Sequence, residues 1–146
     1  MILGIFERIL VGYDGSDNAL RAVDRAIQLA KQSNAELRIV VVVDTLKYSS
    51  YPTPGLYRQF NEEAKLNAQN LARAALDRAK AAGVAGVFAS DVEGQYADKI
   101  LTLSTDYRSD LIVVGRSGMS GLKRFLMGSV STVVINQAKC DVLVVK

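Results

Sequence analysis

The sequence predicts an α/β domain built on a parallel sheet with helices covering both faces. Short runs rich in β-branched residues alternate with segments whose apolar residues recur at helical spacing. The runs are apolar at nearly every position, as expected of strands buried on both faces. Finally, 146 residues without an internal repeat, low-complexity tract or interdomain linker fit one domain, 1–146, with a sizeable core.

The elements follow in order. Arg8 to Tyr13 reads as a buried strand, and Asp14-Gly-Ser16 as a turn in which Ser16 caps a helix. Ala19, Ala22, Val23, Ala26, Ile27 and Ala30 form that helix's apolar stripe, and Leu37 to Val43 gives the second strand. Thr45 to Phe60 holds both prolines and is expected to be a long irregular crossover. An alanine-rich helix follows, with Ala64, Ala68, Leu71, Ala75, Ala79 and Ala82 on one face and Gly83 at its end. Val84 to Val92 is expected as a third strand interrupted by Gly86. A helix through Ala97, Ile100, Leu101 and Ser104, a strand from Asp110 to Gly115, a helix through Val130, Val133 and Val134, and a strand from Val142 to Val145 complete the chain.

Composition narrows the function. The net charge is +3, and the positive residues are scattered without a basic stripe or interleaved aromatics, so no nucleic-acid partner is expected. Met1 to Phe6 is too short for a signal peptide, and the longest purely apolar run is Ile39 to Val43, so no membrane segment is expected. The single Cys140 permits no internal disulfide and fits a reducing cytoplasm. Histidine is absent, which removes the commonest metal ligand and the usual activator of a serine or cysteine nucleophile. No catalytic residue and no protein-built metal site is therefore predicted.

The richest segment lies near the C-terminal end. Gly115, Gly118, Gly128 and Ser129 follow a strand and precede a helix, with two residues between the first pair of glycines and nine between Gly118 and Gly128. Glycines let backbone N–H groups approach a ligand, and a helix N-terminus adds partial positive charge, which together suit a phosphate. The N–H groups of Ser129, Val130 and Ser131, supplemented by the Ser129 and Ser131 hydroxyls, are the expected donors. Turns and helix caps explain the same glycines locally, and local composition leaves both readings open. Neither Gly-x4-Gly-Lys-Ser/Thr nor Gly-x-Gly-x-x-Gly after the first strand is present, so the common nucleotide loops do not apply.

Taken together, these motifs resemble the universal stress protein family. Gly115-Arg-Ser-Gly118, nine residues, then Gly128-Ser129 is similar to the Gly-x2-Gly-x9-Gly-Ser/Thr motif of its ATP-binding branch. Ile9 to Ser16 resembles the family's opening strand and turn, Val42-Val-Asp44 the end of its second strand, and Val142 to Val145 its closing strand. The resemblance spans essentially the whole chain. It implies a Rossmann-like adenine nucleotide alpha-hydrolase-like fold, an open five-stranded parallel sheet in the order 3-2-1-4-5. It also implies a bound adenine nucleotide, with Asp14 and its neighbours at the adenosine end, Val42 against the adenine, and the glycine motif on ribose and phosphates.

The expected nucleotide-binding set is then Gly12, Tyr13, Asp14, Val42, Val114, Gly115, Arg116, Ser117, Gly118, Gly128, Ser129, Val130 and Ser131. The cofactor is expected to be ATP, or ADP or AMP, with Mg²⁺ held through the phosphates. In the implied order the last strand is an edge, and its apolar Val142 to Val145 invites antiparallel pairing with a second copy. The expected function is that of a stress-response or regulatory homodimer switched by nucleotide and acting on an unidentified protein partner. The alternatives are a slow ATPase or a phosphotransferase that modifies its own Ser129 or Ser131, and a flavin carrier on the same sheet.

Overall fold

The computed structural model describes residues 4–44, 53–116 and 128–146. The Ser117 and Gly118 positions of the glycine motif, the spacer cations Lys123 and Arg124, and the crossover residues Tyr48 and Tyr51 lie outside the described residues.

Strands β1 (Arg8–Gly12), β2 (Glu36–Val43), β3 (Val87–Glu93), β4 (Leu111–Gly115) and β5 (Asp141–Val145) form one parallel sheet in the order β3-β2-β1-β4-β5, as expected. Helices α1 (Asp17–Ser33), α2 (Pro54–Ala81), α3 (Tyr96–Asp106) and α4 (Ser129–Gln137) connect them. Strand alternation divides the core into two layers. Ile9, Val11, Leu37, Ile39, Leu111 and Val113 meet α1 and α2 on one face. Leu10, Val40, Ile112 and Val114 meet Ile100 of α3 and Val134 of α4 on the other.

The helix α1 forms where its stripe predicts. Ser16 Oγ accepts from the Ala19 N–H at 3.1 Å, all six stripe residues are buried, and Asn34 in the left-handed region (φ 52°) ends the helix. Two boundaries differ from expectation. The segment expected to be irregular through Phe60 is helical from Pro54, because Thr53 Oγ1 caps the Leu56 N–H at 3.2 Å and proline at the first helical position needs no N–H acceptor. The third strand starts at Val87 rather than Val84. Gly83 turns the chain at φ 97°, and the Val84 N–H donates back to Ala79 O to close the end of α2.

One carboxylate sets the register of the two central strands. Asp110 accepts from the N–H groups of Glu7 (2.8 Å) and Arg8 (2.9 Å), and its own N–H donates to Arg8 O. The start of β4 is thereby tied to the start of β1, and Ile9 falls opposite Leu111. The reversal of strand order occurs between these same two strands, so their carboxyl ends splay into a crevice.

Candidate functional site: the crevice between β1 and β4

Gly12, Tyr13 and Asp14 leave β1 on one side of the crevice, and Gly115 and Arg116 leave β4 on the other. Asp14 Oδ1 accepts from the Ser16 N–H at 2.9 Å, which folds the loop and leads directly into the Ser16 cap of α1. On the far side, backbone bonds stitch β5 and the start of α4 to the exit of β4. The Arg116 N–H donates to Val145 O at 2.9 Å, and Arg116 O accepts from the Gly128 N–H at 2.8 Å. Arg116 and Gly128 are therefore held against each other. Gly128 is extended (φ −64°, ψ 156°) and brings no side-chain oxygen to cap α4. The first turn of α4 thus has no side-chain cap, with the positive end of the helix behind its N–H groups.

The expected binding residues divide by what each already does. Val42 and Val114 lie on the α3/α4 face, with Gly12 in alternation beside them at the end of β1. Ser129 is exposed at the start of α4, and Val130 is half-buried. Tyr13 departs from the expectation. Its ring packs into the opposite core layer with α1 and α2, and its N–H donates to Val40 O at 2.9 Å. Burial first, then the charge of Asp14, raises the pKa of its phenol.

Ser131 also departs from its expected part. Its side chain is buried, and its hydroxyl donates to Gly115 O at 2.7 Å, with a longer contact to Arg116 O at 3.3 Å. The hydroxyl braces α4 against β4 instead of supplementing a phosphate cradle. Ser131→Ala is expected to strand the Gly115 carbonyl and cost about 1–3 kcal/mol of stability in urea unfolding.

Two glycines have reasons of their own. A Cβ on Gly115 would lie 2.9 Å from the backbone C and O of Asn18 and 3.1 Å from the Ala19 nitrogen. Glycine there admits the first turn of α1. A Cβ on Gly12 would lie 2.5 Å from the phenolic oxygen of Tyr96 and 3.0 Å from Ile100 Cδ1. Tyr96, the first residue of α3, was absent from the expected site. The sequence pattern marks that helix by Ala97, Ile100, Leu101 and Ser104, and the available signal for Tyr96 was a glycine ending a buried strand, a gap that some large side chain had to fill.

Tyr96 is half-buried as a residue, with its hydroxyl at the deep end over Gly12. Burial, and secondarily the negative charge of Asp14, moves its ionisation far above the usual tyrosine range. The native phenol then stays neutral where an unfolded one ionises, above a pKa of about 10. The folded state holds the extra proton, so stability is fully present below that pH and is lost as pH rises past it. Unfolding measured from pH 9 to 11 is expected to show a drop approaching about 1.4 kcal/mol per pH unit above the transition, reduced in Tyr96→Phe. Identical profiles for the two proteins would exclude this linkage.

The fold and crevice define a class, the doubly wound α/β domains of the nucleotide alpha-hydrolase-like fold. Residues 5–146 match the model of the universal stress protein family, and the chain belongs to that family. It is 35% identical to a universal stress protein of Methanocaldococcus jannaschii over 97% of this chain and 83% of that protein. It is 37% identical to a putative universal stress protein of Staphylococcus epidermidis over 97% and 84%. The structure of the universal stress protein UspA from Lactobacillus plantarum superposes with a TM-score of 0.86 at 26% identity, covering 96% of this chain and 97% of that one. A crystal structure described as a universal stress protein in complex with cAMP is 37% identical, with a TM-score of 0.69 and 96% of both chains covered.

Among the described residues no helix is long and apolar enough to cross a membrane, and no group of three or more His, Cys, Asp or Glu is placed to hold a metal ion.

Proposed function

We propose that this universal stress protein is a regulatory protein that binds an adenine nucleotide, ATP or its ADP and AMP relatives, in the crevice between β1 and β4. The observation that carries the reading is the start of α4. Gly128 leaves the first turn without a side-chain cap, at the carboxyl end of β4 and beside the strand-order reversal. This is where an anionic ligand gains most from helix N–H groups. A relative 37% identical over nearly the whole chain is described in complex with cAMP, which supports an adenine nucleotide here. Mg²⁺ would be held through the phosphates and water, since Asp14 is bonded into its own turn and no described acidic cluster adjoins α4.

The protein acts as a homodimer in the cytoplasm under this reading, with a second protein as its listener. β5 is an edge strand whose Val142, Leu143 and Val144 are only half-buried in one chain, which supports antiparallel pairing of two copies. Sedimentation equilibrium should return twice the chain mass, and a monomer at micromolar concentration would overturn the pairing.

Equilibrium binding of labelled ATP, competed by ADP, AMP and GTP, tests the central claim. Saturable micromolar binding with adenine preference is expected, and no saturable binding sinks it. Self-phosphorylation, the rival activity, has lost one acceptor, because the Ser131 hydroxyl is buried and bonded to Gly115 O.

A further inference from the structure

We infer that the phenolic hydroxyl of Tyr96 contacts the nucleoside portion of the bound nucleotide and helps select it, an inference that rests on the nucleotide reading above. Position comes first. A phosphate at the start of α4 sits beyond β4, and adjacent strands are about 4.8 Å apart. The sugar and base of the same ligand then extend over β1 and toward β2, where Gly12, Val42 and the Asp14 loop lie. The Tyr96 hydroxyl stands at that place, over the Cα of Gly12, on the same face as Val42 and Val114.

Packing explains only part of this residue. The gap over Gly12 would be filled as well by a phenylalanine ring, because the other nearby atoms are Tyr96 Cζ and the Ile100 methyl. The hydroxyl is what packing leaves unexplained. No hydrogen bond ties it to another described residue, and it is not one of the sealed polar atoms that lack a partner, of which Asn61 Oδ1 is the described example. Gly12 gives it room to reach the crevice, since any side chain at that position would occupy the oxygen's own space. Suppressed ionisation suits the role, as a neutral phenol can both donate to and accept from a ribose hydroxyl or a base heteroatom and adds no negative charge beside a phosphate.

Isothermal titration with AMP, ribose 5-phosphate and pyrophosphate separates the possibilities. Tyr96→Phe is expected to weaken AMP about 5- to 10-fold, the effect of one lost hydrogen bond, and to leave pyrophosphate unchanged. A matching loss with ribose 5-phosphate would assign the contact to the sugar, and its absence would assign it to the base. Gly12→Ala displaces the hydroxyl from the other side and is expected to weaken AMP in the same direction, which guards against a fold defect peculiar to Tyr96→Phe. Unchanged AMP affinity in Tyr96→Phe, or an equal loss for pyrophosphate, overturns the inference while the nucleotide reading stands. Wild-type protein that binds no AMP overturns both.

Discussion

Gly128→Asp is expected to reduce adenine-nucleotide affinity about 100-fold or more while the chain remains folded. Both halves follow from the same position. Gly128 is the N-cap of α4 and sits at φ −64° and ψ 156°, a conformation that any residue adopts. Aspartate is among the preferred N-cap residues, because its carboxylate accepts from the second or third N–H of the helix. The donors that the wild-type chain leaves to the crevice would then be taken by an internal carboxylate. A ligand phosphate would also face a like charge across a few ångströms, a juxtaposition that costs several kcal/mol. Circular dichroism and gel filtration establish that the variant folds, and titration with labelled ATP reads the affinity. A folded variant that binds ATP as the wild type does would move the phosphate site away from α4 and remove the main support for the proposed function.

Much of this fold was legible because its elements each carry their own signal. The stripe of α1 is buried at each predicted position, and the Ser16 cap forms because a serine precedes an apolar period. The late start expected for α2 has an equally local cause. The stretch holding both prolines was expected to be irregular, yet Pro54, just after Thr53, occupies a helical position where its missing N–H is harmless. The site was harder to read, because a side chain's use depends on which face of the sheet it meets. Gly12 and Tyr13 are adjacent in sequence, and strand alternation sends one toward α3 and the other into the α1/α2 layer. Ser129 and Ser131 look interchangeable as hydroxyl donors. Two residues along a helix turn the side chain about 200°, so one is exposed and the other is buried against Gly115 O. Tyr96 escaped notice because its partner, Gly12, lies in a strand separated from it by two helices and two strands of sequence.

Gly115→Ala is expected to destabilise the protein by about 1–3 kcal/mol in the absence of any ligand, the usual cost of overpacking. The sign of this effect separates two explanations of the glycine motif. If Gly115 were glycine only to let a phosphate approach, alanine would be neutral or stabilising without ligand, since Gly→Ala removes unfolded-state entropy where the backbone is compatible. The backbone at Gly115 is compatible, because it is a β4 residue outside the positive-φ glycines. The obstacle is steric. The new methyl would press on backbone atoms of Asn18 and Ala19 at 2.9–3.1 Å, and backbone cannot rotate away as a side chain can. The first turn of α1 must shift, and with it the Ser16 cap and the Asp14 turn that open the other side of the crevice. Lower ligand-free stability in urea, accompanied by weaker nucleotide binding, is therefore the expected pair of results. Unchanged or higher stability with weakened binding would return Gly115 to the ligand alone. The steric account makes this glycine the point where the packing of α1 on the sheet and the geometry of the crevice become a single constraint.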